Sequence, residues 1–258
     1  MRALVTGAAH RLGRAMALHL AARGFDVAVH YATSDKAAAG VAAEIRAMGP
    51  QSAALQADLL DEAQVTPLVL RAAEALGGPL TLLVNNASVF DYDNLESTTR
   101  QGWDRHLESN LRAPFVLIQN FARQVPAEIS DALGEPQARA LVVNMIDQRV
   151  WKLTPEFMSY TLAKSALWTL TQTAAQALAP RVRVNAIGPG PTLRGARQSA
   201  EHFARQRAAT VLGRGSNPDD ICAALSYLID APAVTGQMIA VDGGQHLGWR
   251  TPDVLGVE

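Results

Sequence analysis

Short apolar runs rich in β-branched residues alternate with longer segments of helical period from one end of the chain to the other. Ala3–Thr6, Asp26–Tyr31, Ser52–Gln56, Leu80–Asn85, Ala140–Met145, Val182–Ile187 and Gln237–Val241 predict seven strands. Leu12–Arg23, Lys36–Met48, Ala63–Leu76, Thr98–Val125, Phe157–Leu178 and Pro218–Ile229 repeat their apolar positions at helical spacing and predict amphipathic helices. In Leu80-Thr81-Leu82-Leu83-Val84 both faces of the strand are apolar, as in a parallel sheet covered by helices on each side. Repeated strand–helix alternation implies right-handed crossovers, so the expected fold is α/β, one doubly wound, seven-stranded parallel sheet with helices on both faces. No linker or composition break divides 1–258, which predicts a single domain. Three stretches read as irregular: Pro126–Arg139, Gln148–Glu156 and Gly188–Gly215. In such folds the loops after the carboxyl ends of strands carry the function.

Composition narrows the function classes. A chain of 258 residues buries a substantial core. Its 23 Lys and Arg nearly cancel 24 Asp and Glu, and without a basic run no nucleic-acid partner is expected. The single cysteine, Cys222, makes neither an internal disulfide nor a cysteine cluster, which suits a reducing, cytoplasmic setting. No stretch reaches the ~20 apolar residues that span a bilayer, so no membrane partner is expected. Met1–Thr6 enters a glycine turn too soon for a secretory signal. His10, His19, His106, His202 and His246 show no metal-ligand spacing, and no metal is expected.

The first strand runs into Thr6-Gly7-Ala8-Ala9-His10-Arg11-Leu12-Gly13. Gly7 permits a tight turn, Gly13 lets the helix start approach the sheet, and the exposed N–H groups suit a pyrophosphate. An ordinary strand–turn–helix also uses two glycines, but the place at the first βα turn favours a dinucleotide. An NAD site carries an acid about 20 residues on, at the end of the second strand. Here that end reads His30-Tyr31-Ala32-Thr33-Ser34, with Asp26 at the wrong end and Asp35 in the next helix. With no carboxylate to repel a 2′-phosphate and with Arg11, Thr33 and Ser34 as donors, the pattern favours NADP(H), unless Arg11 only caps a surface turn. Asp58-Leu59 after the third strand and Asn85-Asn86-Ala87-Ser88 after the fourth suit the adenine and ribose, and are equally what turn chemistry selects.

Tyr160 and Lys164 stand four apart, on one face of a predicted helix. A cation there lowers the phenol's pKa and makes it a proton donor near neutrality. Most such pairs are solvated helix faces. This chain, however, has only Lys36, Lys152 and Lys164 among its 23 basic residues.

Taken in order, these motifs resemble the short-chain dehydrogenase/reductase family over nearly the whole chain. The matching pieces are TGxxxxxG at 6–13, Asp58, Asn-Asn-Ala at 85–87, Asn110, Tyr160 with Lys164, Val184-Asn185-Ala186, Pro189-Gly190 and Val241-Asp242-Gly243-Gly244. The resemblance implies a Rossmann-type sheet and Tyr160 as proton donor or acceptor. It implies Lys164 on the nicotinamide ribose and Asn110 anchoring a relay water. Pro189 and Gly190 would border the nicotinamide, with Thr192 near its carboxamide. It also implies a homotetramer, with 245–258 near an interface, for which Trp249 is the one hint because an isolated surface Trp costs solubility. The segment 193–215 reads as a substrate lid without a clear family signature, and its Arg194, Arg197, Arg205 and Arg207 are equally a solvated helix face.

One departure is informative. Most members place serine thirteen residues before the tyrosine, where this chain has Asp147. A carboxylate beside a phenol suits a substrate protonated on nitrogen better than a developing alkoxide. A subgroup resembling pteridine reductases carries this Asp, with Arg in the first glycine turn, Asn-Ala-Ser, a nearby Phe and Gly-Pro-Gly after the sixth strand. This chain offers Arg11, Asn86-Ala87-Ser88, Phe90 and Gly188-Pro189-Gly190. That resemblance implies Phe90 stacked on a flat heterocycle, Arg11 reaching substrate and phosphate, and Ser88, Asp147 and Tyr160 around the substrate. Thr33 stands where that subgroup carries a basic residue. The alternative function is carbonyl–alcohol exchange on a 3-oxoacyl, sugar or other ketone. A dinucleotide-sensing scaffold fits less well, because both Tyr160 and Lys164 are present.

Overall fold

A computed structural model describes residues 1–195, 197–251 and 254. Its frame is β1 (Arg2–Val5), α1 (Arg11–Ala22), β2 (Asp26–Tyr31), α2 (Asp35–Ala47), β3 (Ser52–Gln56), α3 (Glu62–Val65), α4 (Leu68–Ala75) and β4 (Leu82–Asn85). After these come α5 (Arg100–Leu107), α6 (Ala113–Gln124), a two-residue hairpin β5 (Ile129–Ser130) and β6 (Pro136–Gln137), and β7 (Ala140–Met145). The chain continues through α7 (Met158–Leu178), β8 (Val182–Pro189), α8 (Ala200–Ala208), α9 (Pro218–Asp230) and β9 (Met238–Val241).

Seven strands form one parallel sheet in the order β3-β2-β1-β4-β7-β8-β9. The order reverses beside β1, so the carboxyl ends of β1 and β4 flank the crevice where ligands bind in such sheets. Alternation along each strand feeds two cores. Ala3, Val5, Leu82, Val84, Leu141 and Val143 pack with α1, α2 and α9. Leu4, Leu83, Val142 and Val184 pack with α4, α6 and α7 on the other face. Each fully buried Leu or Val contributes about 1.5–3 kcal/mol, which is why the strands carry so few polar residues.

Four expectations change. The predicted helix Ala63–Leu76 is divided at Pro67, which has no N–H to donate. The predicted helix Thr98–Val125 contains a π-helical turn over Glu108–Arg112 that separates α5 from α6. The stretch Pro126–Arg139 holds the β5–β6 hairpin. Finally, 193–215 contains α8, capped by the Ser199 hydroxyl accepting the His202 N–H. None of its residues is buried, so it carried no apolar stripe to betray it.

Candidate active site

The glycine turn after β1 is built by contacts that leave no room for side chains. Gly7 has φ +62°, and a Cβ there would lie 3.0 Å from the Ala87 Cα. A Cβ on Gly13 would lie 2.2 Å from the Gly7 carbonyl oxygen, a backbone clash. The Asn86 amide straps the turn by donating to the Thr6 carbonyl at 2.8 Å, and the Thr6 hydroxyl accepts the N–H groups of Asn86 and Ala87.

His30, which the sequence reading left without a role, completes this turn. Its Nδ1 accepts the Gly7 N–H at 3.0 Å, and its Nε2–H donates to the Ala57 carbonyl at 3.0 Å. The ring is buried, and burial lowers its pKa to about 4. The neutral tautomer is the one these two bonds require. Because the folded pKa lies below the unfolded 6.5, the unfolded chain binds the extra proton between those values. Stability is therefore full above pH 6.5 and falls by roughly 3 kcal/mol as pH drops toward 4. Denaturant unfolding of the wild type and His30→Gln at pH 7 and pH 4.5 checks this. The variant should lose much less on acidification, and equal losses would refute the assignment.

A cavity of about 500 Å³ opens from this turn across the carboxyl ends of β1, β4, β7 and β8. Its wall includes Gly7, Arg11, Leu12, Gly13, Asn86, Ala87, Ser88, Phe90, Asp147, Tyr160, Lys164, Pro189, Gly190 and Thr192, residues the sequence singled out, together with His10 and Leu193. Gly190 meets the β9 end so closely that a Cβ there would lie 2.5 Å from the Asp242 Cβ. Tyr31, Thr33, Ser34, Asp58 and Leu59 lie outside this wall, at the ends of β2 and β3. Ser34 precedes α2 without capping it, while the Asp58 carboxylate accepts the Leu60 N–H in a local turn. The Arg11 guanidinium donates to the carbonyls of Leu193 and Arg194, so it also holds the segment that the sequence marked as a lid.

At the inner end, the Tyr160 hydroxyl donates to Asp147 Oδ2 at 3.0 Å, while Asp147 Oδ1 accepts the Arg149 N–H. Lys164 is buried, its Nζ donating to the Met145 carbonyl at 2.7 Å and lying 5.7 Å from the Tyr160 ring centre. The expectation that a lysine lowers the phenol pKa is corrected here. Burial and the neighbouring Asp147 carboxylate raise it well above the ordinary tyrosine value. Burial also raises Asp147 and lowers Lys164 to about 8. The phenol therefore keeps its proton and donates it in a hydrogen bond to the Asp147 carboxylate, whose own proton affinity burial raises.

Asn110 sits in the π-helical turn and clamps the strand end opposite. Its Oδ1 accepts from the Ser88 hydroxyl at 2.9 Å and the Val89 N–H at 3.1 Å, and its amide donates to the Val89 carbonyl. Phe90 stacks on Phe157 with ring centres 4.4 Å apart and presents an edge contact to Tyr160 at 4.6 Å. An outer cavity of about 750 Å³ continues from Asp147 and Phe90 beneath the segment around α8.

Comparison with known proteins identifies the class. A family model described as Enoyl-(Acyl carrier protein) reductase matches residues 7–246. The 3-oxoacyl-(acyl-carrier-protein) reductase FabG of Staphylococcus aureus is 32% identical over 250 residues, covering 95% of this chain and 98% of that protein. A short-chain dehydrogenase/reductase of Hericium erinaceus is 31% identical over 94% of this chain. The structure of FolM Alternative dihydrofolate reductase 1 from Brucella suis, solved with NADP, superposes with a TM-score of 0.90 at 46% identity, covering 98% of each chain. The chain belongs to the short-chain dehydrogenase/reductase family, whose members are oxidoreductases. Among the described residues no helix is long and apolar enough to cross a membrane, and no cluster of His, Cys, Asp and Glu has metal-site geometry.

Proposed function

We propose that the chain reduces a dihydropterin to a tetrahydropterin, with NADP(H) as its cofactor. The cofactor's part rests on NADP- and NADPH-bound structures of relatives and on a crevice that fits such a group. That crevice has a turn with no room for a Cβ at Gly13, a buried lysine at its inner end and Gly190 packed on Asp242. Gly7, Arg11, Leu12, Gly13, Asn86, Ala87, Tyr160, Lys164, Pro189, Gly190 and Thr192 would hold it, with Tyr31, Thr33, Ser34, Asp58 and Leu59 toward its adenosine end. NADPH supplies a hydride when bound.

The observation that carries the pterin reading is the 3.0 Å bond between Tyr160 and Asp147. Reducing a C=N bond adds a hydride to carbon and a proton to nitrogen. Asp147, raised by burial, takes up the proton as pH falls, and Tyr160 hands one to the ring nitrogen. Lys164 keeps positive charge near the phenol, and Asn110 holds Ser88 and Val89 at the rim, where it would also anchor a relay water. Phe90 supplies a flat apolar wall for a heterocycle, and residues 193–215 would close over it.

FolM structures from two Brucella species, at 46% and 44% identity, support this reading. Ketone reduction is the second reading, favoured by the match to FabG and to the landomycin C-6 ketoreductase LanV at 29% identity. The deciding assay follows absorbance at 340 nm with NADPH and with NADH, on 7,8-dihydrobiopterin and on a ketone panel. Turnover of the pterin, several-fold better with NADPH, is expected. Turnover of ketones alone would transfer the assignment to the second reading.

A further inference from the structure

Behind the aromatic wall lies a buried polar chain that the reaction scheme above does not use. Asp93, His106 and Ser159 are all buried, and they come from three separate segments. His106 Nε2 accepts the Asp91 N–H at 3.0 Å, so its Nδ1 carries the proton and donates to Ser159 Oγ at 2.6 Å. The Ser159 hydroxyl in turn donates to the Asp93 carboxylate, which also accepts the Ser159 N–H and the Thr98 hydroxyl. The Asp93 carbonyl accepts the Phe157 N–H at 2.7 Å. Every direction in this chain is fixed by the single Asp91 donor, since a backbone N–H cannot accept. Burial lowers the His106 pKa, in keeping with a neutral ring.

This chain ties both neighbours of the substrate wall to one frame. Ser159 immediately precedes Tyr160, and Asp91 immediately follows Phe90. Phe90 is 43% exposed; its ring rests on Phe157 and Tyr160 with the rest open, so the backbone that carries it shares in setting its orientation. From the solvent side, Arg197 donates to the Phe90 carbonyl and lies with its guanidinium 5.8 Å from the ring centre. The Phe90 peptide is thus gripped by Arg197 on one side and, through Asp91, by His106 on the other.

We infer that His106, with Ser159 and Asp93, is a positioning relay that sets Phe90 against Tyr160 and so determines the enzyme's affinity for flat heteroaromatic substrates. It touches no reacting atom. The inference rests on the pterin reading, because the ring to be held is the one proposed to stack on Phe90. It separates binding from chemistry: loosening Phe90 weakens substrate binding, while Tyr160, Asp147 and Lys164 keep the contacts made from α7 and β7.

The test is a double-mutant cycle of His106→Leu and Phe90→Ala, read as KM and kcat with NADPH and as the Kd of 7,8-dihydrobiopterin measured without turnover. Alone, His106→Leu should raise KM and Kd about tenfold and leave kcat within about threefold. In the Phe90→Ala background it should change neither, because coupled residues are not additive. His106→Asn, which keeps an acceptor and a donor on one side chain, should recover part of the loss and guards against a simple folding defect. Equal effects in both backgrounds, or a fall in kcat with KM unchanged, would overturn the relay. A wild-type chain that neither binds nor reduces dihydrobiopterin would overturn the pterin reading itself, and the relay with it.

Discussion

Tyr160→Phe should lower turnover by roughly 10²–10⁴-fold on every substrate the wild type accepts, the range that a positioned proton donor contributes. The substitution removes one oxygen and keeps the ring, so the edge contacts with Phe90 at 4.6 Å and His106 at 6.1 Å persist and the fold survives. It also leaves the Asp147 carboxylate without its phenolic donor. That raises the Asp147 pKa further, because this hydrogen bond favours the charged form. Lys164→Ala should be comparably damaging. It removes the buried ammonium that donates to the Met145 carbonyl, and with it the proposed ribose contact. Steady-state rates alongside thermal unfolding and NADPH binding separate the two roles. Near-normal turnover in Tyr160→Phe with the cofactor bound would remove Tyr160 from the chemistry.

The strands were legible because burial on both faces leaves a local mark. A strand such as Leu82–Asn85, fully buried, has almost no choice of residue. Even so, β8 runs past the predicted Ile187, since Gly188 and Pro189 still pair with Ala240 and Val241. Pro189 holds its place because it is the last residue of β8, beyond the end of the β7 pairing at Ile187, where no neighbouring strand calls for its missing N–H. The α8 segment was not legible, because a helix with no buried side chain differs little from a polar loop in sequence.

The site divides in the same way. Tyr160 and Lys164 stand at helical spacing on one face, a weak local signal, while Asp147 and Asn110 stand out only through the family resemblance. His30 and Gly7 lie 23 residues apart, Ser159 and Asp93 66 apart. No local pattern links such partners, and only the assembled sheet brings them together. The direction of the Tyr160 shift was hidden for a different reason. The spacing to Lys164 promised a lowered phenol pKa, but the outcome depends on burial and on which charge lies closer, neither of which spacing reports. The one signal available for His30 was a histidine in the middle of an otherwise apolar strand, Val27-Ala28-Val29-His30. A polar residue buried there requires partners for both ring nitrogens, and a tight turn at the end of the neighbouring strand is where one would be found.

Asp147→Asn should reduce pterin turnover by about 10²-fold or more, because the amide keeps the shape of the carboxyl but has no proton to give. With Oδ1 still accepting the Arg149 N–H, the turn survives and Nδ2 faces Tyr160, so the phenol accepts a hydrogen bond there instead of donating one. The pH profile carries the sharper information. Burial raises the Asp147 carboxyl above the ordinary carboxylate range, and the nearby carboxylate raises Tyr160. Wild-type pterin reduction should therefore rise as pH falls toward the value at which the site takes up its extra proton. The midpoint belongs to the coupled pair and not to either residue. The same shift makes the ionised carboxylate a cost to the fold: stability contributed by the protonated form is lost as pH rises through the raised pKa. Asp147→Asn should remove both dependences at once. Asp147→Ser restores the hydroxyl common in the family and should raise any ketone activity while pterin activity falls. Measuring the wild type and both variants on dihydrobiopterin and a ketone panel from about pH 4.5 to 8 distinguishes the readings. An Asn variant with wild-type pterin rates and an unchanged profile would reduce Asp147 to a turn residue and make ketone reduction the better assignment.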